Sequence, residues 1–147
     1  MPNNDILDNL SSIEILGLTI IGEARGEPIH GQVAVGCVIR NRLLTSHKQY
    51  HDVCLAPKQF SCWNENDPNR VILLELAEKL LAGDKIRDAY LKQCLYVAKG
   101  IENWDIMDNT NGAVNYMTSD LFRARTVEWA KDATNIKIIG HHTFFNA

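Results

Sequence analysis

The sequence has no apolar run long enough to cross a membrane, no excess of basic charge and no internal repeat, and each absence removes a class of function. A spanning helix needs about 20 predominantly apolar residues. The best candidate, Ile13 to Ile21, is interrupted by Glu14, Gly17 and Thr19, so no stable membrane insertion is expected. Lysine and arginine number 15 against 18 aspartates and glutamates, a net charge of −3. Nucleic-acid binding rests on a basic surface, so nucleic acid is not expected as a partner. The opening MPNNDILDNL has neither a basic stretch nor an apolar core of the secretory kind, and no signal peptide is expected. No linker or low-complexity tract divides the chain, and its 147 residues fit one domain, 1–147. A chain of that size buries roughly 68–70% of its unfolded surface, enough for a core without covalent staples.

The four cysteines are Cys37, Cys54, Cys62 and Cys94. Cys37 and Cys94 sit in apolar surroundings and read as free core thiols. Cys54 and Cys62 are close enough in sequence to bridge a short loop, although a chain without an export signal is expected to meet a reducing compartment.

What is present is mostly helical pattern. Ser11-Ser12-Ile13-Glu14 is a capping box, with Leu10 and Ile15 placed as its hydrophobic staple. Ile13, Leu16, Ile20 and Ala24 follow helical spacing, and Gly26 supplies the stop. Pro28 suits the start of a second helix. The run from Gly31 to Leu44 is long enough to favour helix, with Gly36 a point of close packing. Residues 45–70 read as loop. Asp67-Pro68 opens a helix to Gly83 with Leu73, Leu74, Ala77, Leu80 and Leu81 as its apolar stripe. Asp88 to Lys99 forms another, with Leu91, Cys94, Leu95 and Ala98 inward and Gly100 as its stop. Residues 101–119 are turn-rich around NTNG at 109–112, a short helix is expected around Leu121 to Lys131, and IKIIGHHTFF reads as one or two strands around Gly140. The fold class is therefore mainly α with a small β element.

Glu23, in the stretch GEARGEP, falls in the last turn of the first well-marked helix. A carboxyl group can act as an acid near neutral pH only if its pKa is raised. A helix C-terminus disfavours an anion, and Ile20, Ile21, Gly22 and Ala24 promise partial desolvation. Arg25, adjacent in sequence, is expected to point elsewhere. Spacing alone favours the plainer reading of Glu23 as a solvated last-turn residue.

The stretch GEARGEPIHGQVAVGCVIRNRL, followed by QFSCW at 59–63, GAVNYMTS at 112–119 and IGHHTFF at 139–145, resembles the SleB/CwlJ cell-wall hydrolases of the spore-cortex-lytic type. The blocks fall in the family's order and span about residues 10–145. The resemblance implies a compact lysozyme-like or lytic-transglycosylase-like domain. It implies cleavage of peptidoglycan glycan strands at the MurNAc-β-1,4-GlcNAc bond, with Glu23 as the catalytic acid. With one such carboxylate, the implied chemistry is of the lytic-transglycosylase kind, in which Glu23 serves as acid and then base and leaves an anhydro-muramyl product. A hydrolytic muramidase would need a second carboxylate, for which Glu27, Asp52 and Asp120 are the candidates. Glu27 is expected instead to cap a helix or pair with an arginine. Gln59, Ser61, Tyr116, Asn115 and His142 are the candidate substrate-binding residues. Tyr116 is also placed to steady Glu23 through its hydroxyl. His141 and His142, adjacent in a strand, face opposite sides. Trp63, Trp104 and Trp129 can stack on sugars, with packing as the default for each. His30 departs from the family's usual aromatic or acidic residue and leaves the edge of the cleft open. No cofactor and no metal are expected, and a monomer is.

Three rival readings remain. Ser61-Cys62-Trp63 echoes a papain-like nucleophile segment, but the following histidines lie 79 or 80 residues on, against roughly 130–150 in that family. Cys54, Cys62, His141 and His142 make a candidate zinc set without the usual cysteine spacing. A glycan-binding or virion module would use the fold without the chemistry, against which the intact GEARGEP argues. A wall substrate and no export signal are reconciled by a bacteriophage endolysin released through a lysis pore, a virion component or another unconventional delivery.

Overall fold

The computed structural model describes residues 4–124 and 131–147. Seven helices, a 3₁₀ turn and three strands follow in order among these residues: α1 (Asn4–Asp8), α2 (Ser12–Glu23), α3 (Ile29–Ser46), α4 (Tyr50–Leu55), the 3₁₀ turn Ser61–Trp63, α5 (Pro68–Leu81), α6 (Ala89–Glu102), β1 (Asn115–Thr118), α7 (Ser119–Ala124), β2 (Thr134–Ile139) and β3 (His142–Asn146). The expected class, mainly α with a small β element, is the one observed. No described helix is long and apolar enough to cross a membrane.

Helix α2 is the axis of the helical part. The Glu14 N–H donates to Ser11 Oγ at 3.1 Å and the Ser11 N–H to Glu14 Oε1 at 2.8 Å, so the capping box forms as read. Every residue from Ile15 to Ile21 is buried, the mark of a helix enclosed on all sides rather than one resting on a core. Helices α3, α4, α5 and α6 all pack against it. Gly36 of α3 is a close contact, since a Cβ there would stand 2.1 Å from Ile101 Cδ1 and 3.2 Å from Ile20 Cδ1.

The strands form one antiparallel sheet in the order β1-β3-β2, with Tyr116 opposite Phe144 and Thr118 opposite His142. Alternation puts Tyr116, His142 and Phe144 on one face. Phe144 and Tyr116 join the main core there, while Met117 and Phe145 close a smaller cluster with Phe122 on the other face. Gly140, at φ +59, turns β2 into β3 where the sequence reading placed the break.

The structure corrects that reading at several points. Residues 45–70 hold α4 and the 3₁₀ turn rather than loop alone, with the Asp52 carboxylate accepting from the Gln49 N–H at 3.2 Å to start α4. Tyr50, Val53 and Cys54, spaced three and four apart, bury its inner face. Gly100 is not a stop; α6 runs on to Glu102, and the missing side chain at Gly100 makes room for Ile106, whose Cδ1 would lie 2.5 Å from a Cβ. Leu81 is exposed, because α5 buries only Leu73 and Ala77 fully. The helix expected to reach Lys131 is described only as α7, Lys131 lies in a turn, and Trp129 lies outside the described residues. All four cysteines are free and buried, so Cys54 and Cys62 do not pair.

One polar group fixes the end of α6. Arg40 is 2% exposed, and its Nη1 donates to Ile101 O and Ile106 O, both at 3.0 Å. Its guanidinium lies 4.0 Å from the Trp104 ring centroid. A cation at a helix C-terminus meets the negative end of the dipole. Arg40→Ala is expected to lower stability by about 3 kcal/mol, because two carbonyls lose a charged donor. Urea denaturation measures this, and a loss within error of zero contradicts the role given to Arg40.

Candidate active site

Glu23 is the last residue of α2 and is half-buried. Two donors meet its carboxylate from distant parts of the chain. The Cys62 peptide N–H donates to Oε2 at 3.1 Å. The Tyr116 hydroxyl donates to Oε1 in a short hydrogen bond. Burial, and then the neighbouring Glu23, push the Tyr116 phenol well above its ordinary pKa, so its proton is retained as a donor. Arg25 points away, as expected, with Nη1 donating to Asn69 Oδ1 at 3.2 Å.

The Cys62 N–H is in place because α2 and the 3₁₀ turn touch at Gly22. A Cβ on Gly22 would stand 2.5 Å from Cys62 Cβ and 2.6 Å from its Sγ. The turn is pinned further by Trp63, 6% exposed, whose Nε1 donates to Thr19 Oγ1 at 3.0 Å. Trp63 is therefore part of the wall and not a free stacking platform. Trp104 is exposed but occupied by Arg40.

The other candidates fall into two groups. Ser61, the first residue of the turn that meets Glu23, and Gln59 just before the turn are exposed, and Phe60 between them is core. Asn115 lies on the face of β1 opposite to Tyr116, toward Phe145. His142 has a side chain only 16% exposed, with its ring edge against Tyr116 at 5.4 Å between centroids. His30 is exposed, and its carbonyl accepts from Asn109 Nδ2 at 3.1 Å.

Arg42 was not singled out from sequence, yet it stands at this site. Its Nε donates to Val114 O at 2.7 Å, its Nη1 to Gln59 Oε1 at 3.4 Å, and its guanidinium lies 5.0 Å from the Phe60 ring centroid. Burial pulls its pKa down, and the nearby Tyr116 and Glu23 oppose that shift. The only signal was its place in the VIRNRL stretch, two residues after the buried Arg40.

Among the described residues, Glu27 neither caps a helix through its side chain nor pairs with an arginine. It is 6% exposed and turns toward the β2–β3 hairpin. Oε1 accepts from the His141 N–H at 3.1 Å and lies 3.0 Å from His142 Nδ1 and 3.3 Å from His141 Nδ1. Gly140 leaves room for it, since a Cβ there would stand 2.4 Å from Glu27 Oε2. The other two candidate second carboxylates are exposed and engaged elsewhere, Asp52 at the start of α4 and Asp120 in an ion pair with Arg123.

The rival chemistries find little here. Burial, with Glu23 as the next cause, pushes the Cys62 thiol far up, and burial raises Cys37 to about 11 and Cys54 and Cys94 to about 12. A nucleophilic cysteine needs the opposite shift. Among the described residues, no three His, Cys, Asp or Glu side chains are grouped so as to hold a metal ion.

Two outcomes follow from this geometry. Iodoacetamide at pH 8 is expected to leave all four cysteines of the native protein unlabelled, and to label all of them after denaturation. Rapid native labelling of Cys62 would revive the cysteine-hydrolase reading. Glu27→Ala is expected to lower stability by about 2–4 kcal/mol, since it strips the hairpin of its buried acceptor, with Glu27→Gln losing less. Equal losses in the two variants would show that packing, not the acceptor, matters.

Comparison with known proteins gives the site its setting. The profile of the Cell Wall Hydrolase family matches residues 26–145, beginning three residues after Glu23. A spore cortex-lytic enzyme of Oceanobacillus iheyensis is 32% identical over 136 residues, covering 91% of this chain and 41% of that protein. One of Bacillus cereus is 28% identical over the same length, covering 91% and 44%. The chain thus spans about two fifths of the length of these relatives. The catalytic domain of Bacillus cereus SleB is similar in structure, with a TM-score of 0.61 at 27% identity over 92% of this chain and 89% of that one. The catalytic domain of the germination-specific lytic transglycosylase SleB of Bacillus anthracis has the same fold, with a TM-score of 0.61 at 24% identity over 95% and 98%. A helical scaffold presenting one glutamate to a peptide N–H and a phenol, on a chain matched over most of its length, makes this protein a member of the cell-wall hydrolase family.

Proposed function

We propose that the chain cleaves peptidoglycan glycan strands at the MurNAc-β-1,4-GlcNAc bond, with Glu23 as acid and then base. The observation that carries this reading is the pair of donors on one half-buried carboxylate. Glycosidic cleavage needs a proton on the leaving oxygen. The Glu23 carboxyl gives its proton to GlcNAc O4 as the C1–O4 bond breaks. The Glu23 carboxylate then takes the proton of the muramyl 6-hydroxyl, whose oxygen closes on C1. The product is a 1,6-anhydro ring, no water is consumed, and Glu23 is again an acid. A phenol can both donate and accept, so Tyr116 can follow Glu23 through both states. The Cys62 N–H only donates and holds Oε2 in place.

Similarity to a lytic transglycosylase catalytic domain supports the same chemistry. So does the engagement of Glu27, Asp52 and Asp120 elsewhere, since activation of a water would need a second carboxylate. Gln59 and Ser61 are placed to hydrogen-bond sugar beside Glu23. His142 serves by steadying Tyr116, and Asn115 has the weakest claim because it faces away.

Digestion of purified peptidoglycan followed by mass spectrometry tests the reading. The expected muropeptides end in a muramyl group lighter by one water than a reducing end. Glu23→Gln is expected to lower the rate by about a hundred-fold or more, with its unfolding midpoint close to that of the wild type, and Tyr116→Phe by about ten-fold. Reducing ends would mean hydrolysis instead. Newly freed peptide amines without new sugar ends would sink glycan cleavage altogether.

A further inference from the structure

Beside the Glu23 site lies a hollow of about 360 Å³, lined among others by Arg42, Lys48, Asp52 and Gln59. Its charged groups are two cations and one carboxylate, on a chain whose net charge is −3. Asp52 already accepts the Gln49 N–H. Arg42 is held rigidly: Nε and Nη1 are committed to Val114 O and Gln59 Oε1, with the Phe60 ring beneath. Its Nη2 has no protein partner among the described residues, and neither has the Lys48 ammonium. Two donors of positive charge thus line one hollow beside a single carboxylate, Asp52, with which neither forms an ion pair among the described residues. A guanidinium held through Nε and Nη1 keeps Nη2 to donate to a carboxylate.

The substrate chemistry supplies such a group close to the reacting bond. The muramyl sugar whose C1–O4 bond breaks carries a lactyl group on O3, to which a peptide with free carboxylates is attached. That peptide must leave the groove within one sugar of the acid. Arg42 is an electrostatic neighbour of Glu23, and the hollow that it lines is lined also by Lys48. We propose that this hollow is a subsite for carboxylates of the peptide carried by the muramyl residue, Arg42 taking the nearer and Lys48 the farther. The proposal rests on glycan cleavage as the reaction.

The experiment compares two strands: peptide-bearing peptidoglycan, and the same strands stripped by an amidase, which leaves only the lactyl carboxylate. Wild type is expected to favour the peptide-bearing strand in kcat/KM by about three- to five-fold at low salt, the range of one or two exposed ion pairs, and less so at high salt. Lys48→Glu is expected to abolish or reverse that ratio through KM rather than kcat, and Lys48→Arg to retain it. A ratio unchanged in Lys48→Glu, or a wild type that does not distinguish the strands, overturns the subsite while leaving glycan cleavage standing. If wild type cleaves neither strand, glycan cleavage itself fails and the subsite falls with it.

Discussion

The carboxylate of Glu23 is held by two hydrogen bonds whose donors come from residues 39 and 93 positions along the chain. Neither donor is local, so the geometry of one side chain depends on three bodies being in register: the end of α2, the 3₁₀ turn and the sheet. Burial on all sides fixes α2. Close approach at Gly22 and the Trp63–Thr19 bond fix the turn against it. The third body, the sheet, meets the helical core through Phe144 and Tyr116. A packed interior transmits small volume changes instead of absorbing them, so side chains far from Glu23 share in setting its contacts.

The sheet has few strands and one largely exposed member, β2. So small a sheet needs a hydrophobic face or packing against a helix for stability. Glu27 provides part of that anchorage by reaching from the start of α3 into the hairpin, where the His141 N–H and the His142 ring meet it. His142 in turn lies edge-on to Tyr116. A line of contacts therefore runs from a buried carboxylate, through an imidazole and a phenol, to the half-buried carboxylate of Glu23.

Much of this was legible in the sequence where the controlling interactions are local. The capping box of α2 needs only Ser11 and Glu14, and it formed as read. The split of His141 and His142 to opposite sides is not what forms, because His141 lies in the turn before β3 and both imidazoles meet Glu27 Oε1, although His141 is exposed and His142 largely covered. Helix α4 was missed because six residues are too few to be helical by propensity. Its helix exists because Tyr50, Val53 and Cys54 are buried by other segments. Gly100 was misread because a glycine that ends a helix and one that admits a neighbour look alike in sequence. The Cys62 contribution could not have been read at all, since every residue but proline offers a peptide N–H. Arg42 was hidden in a long helical run, and the partners of Glu27 lie 114 residues away.

Glu23 and Glu27 are four residues apart in one short stretch, yet the fold gives them opposite surroundings. Had α2 continued, residues at that spacing would lie on one face and repel each other. The helix ends between them, with Ala24 as its cap and Gly26 at φ +81. The chain reverses, and the two carboxylates part: Glu23 stays half-buried between a peptide N–H and a phenol, while Glu27 is enclosed against two imidazoles. A group that exchanges protons with a substrate must keep one side accessible, and a group that anchors a hairpin must not. The break after Glu23 lets one stretch supply both, which is why the nearest carboxylate in sequence is also the one least available to act as a second acid or base.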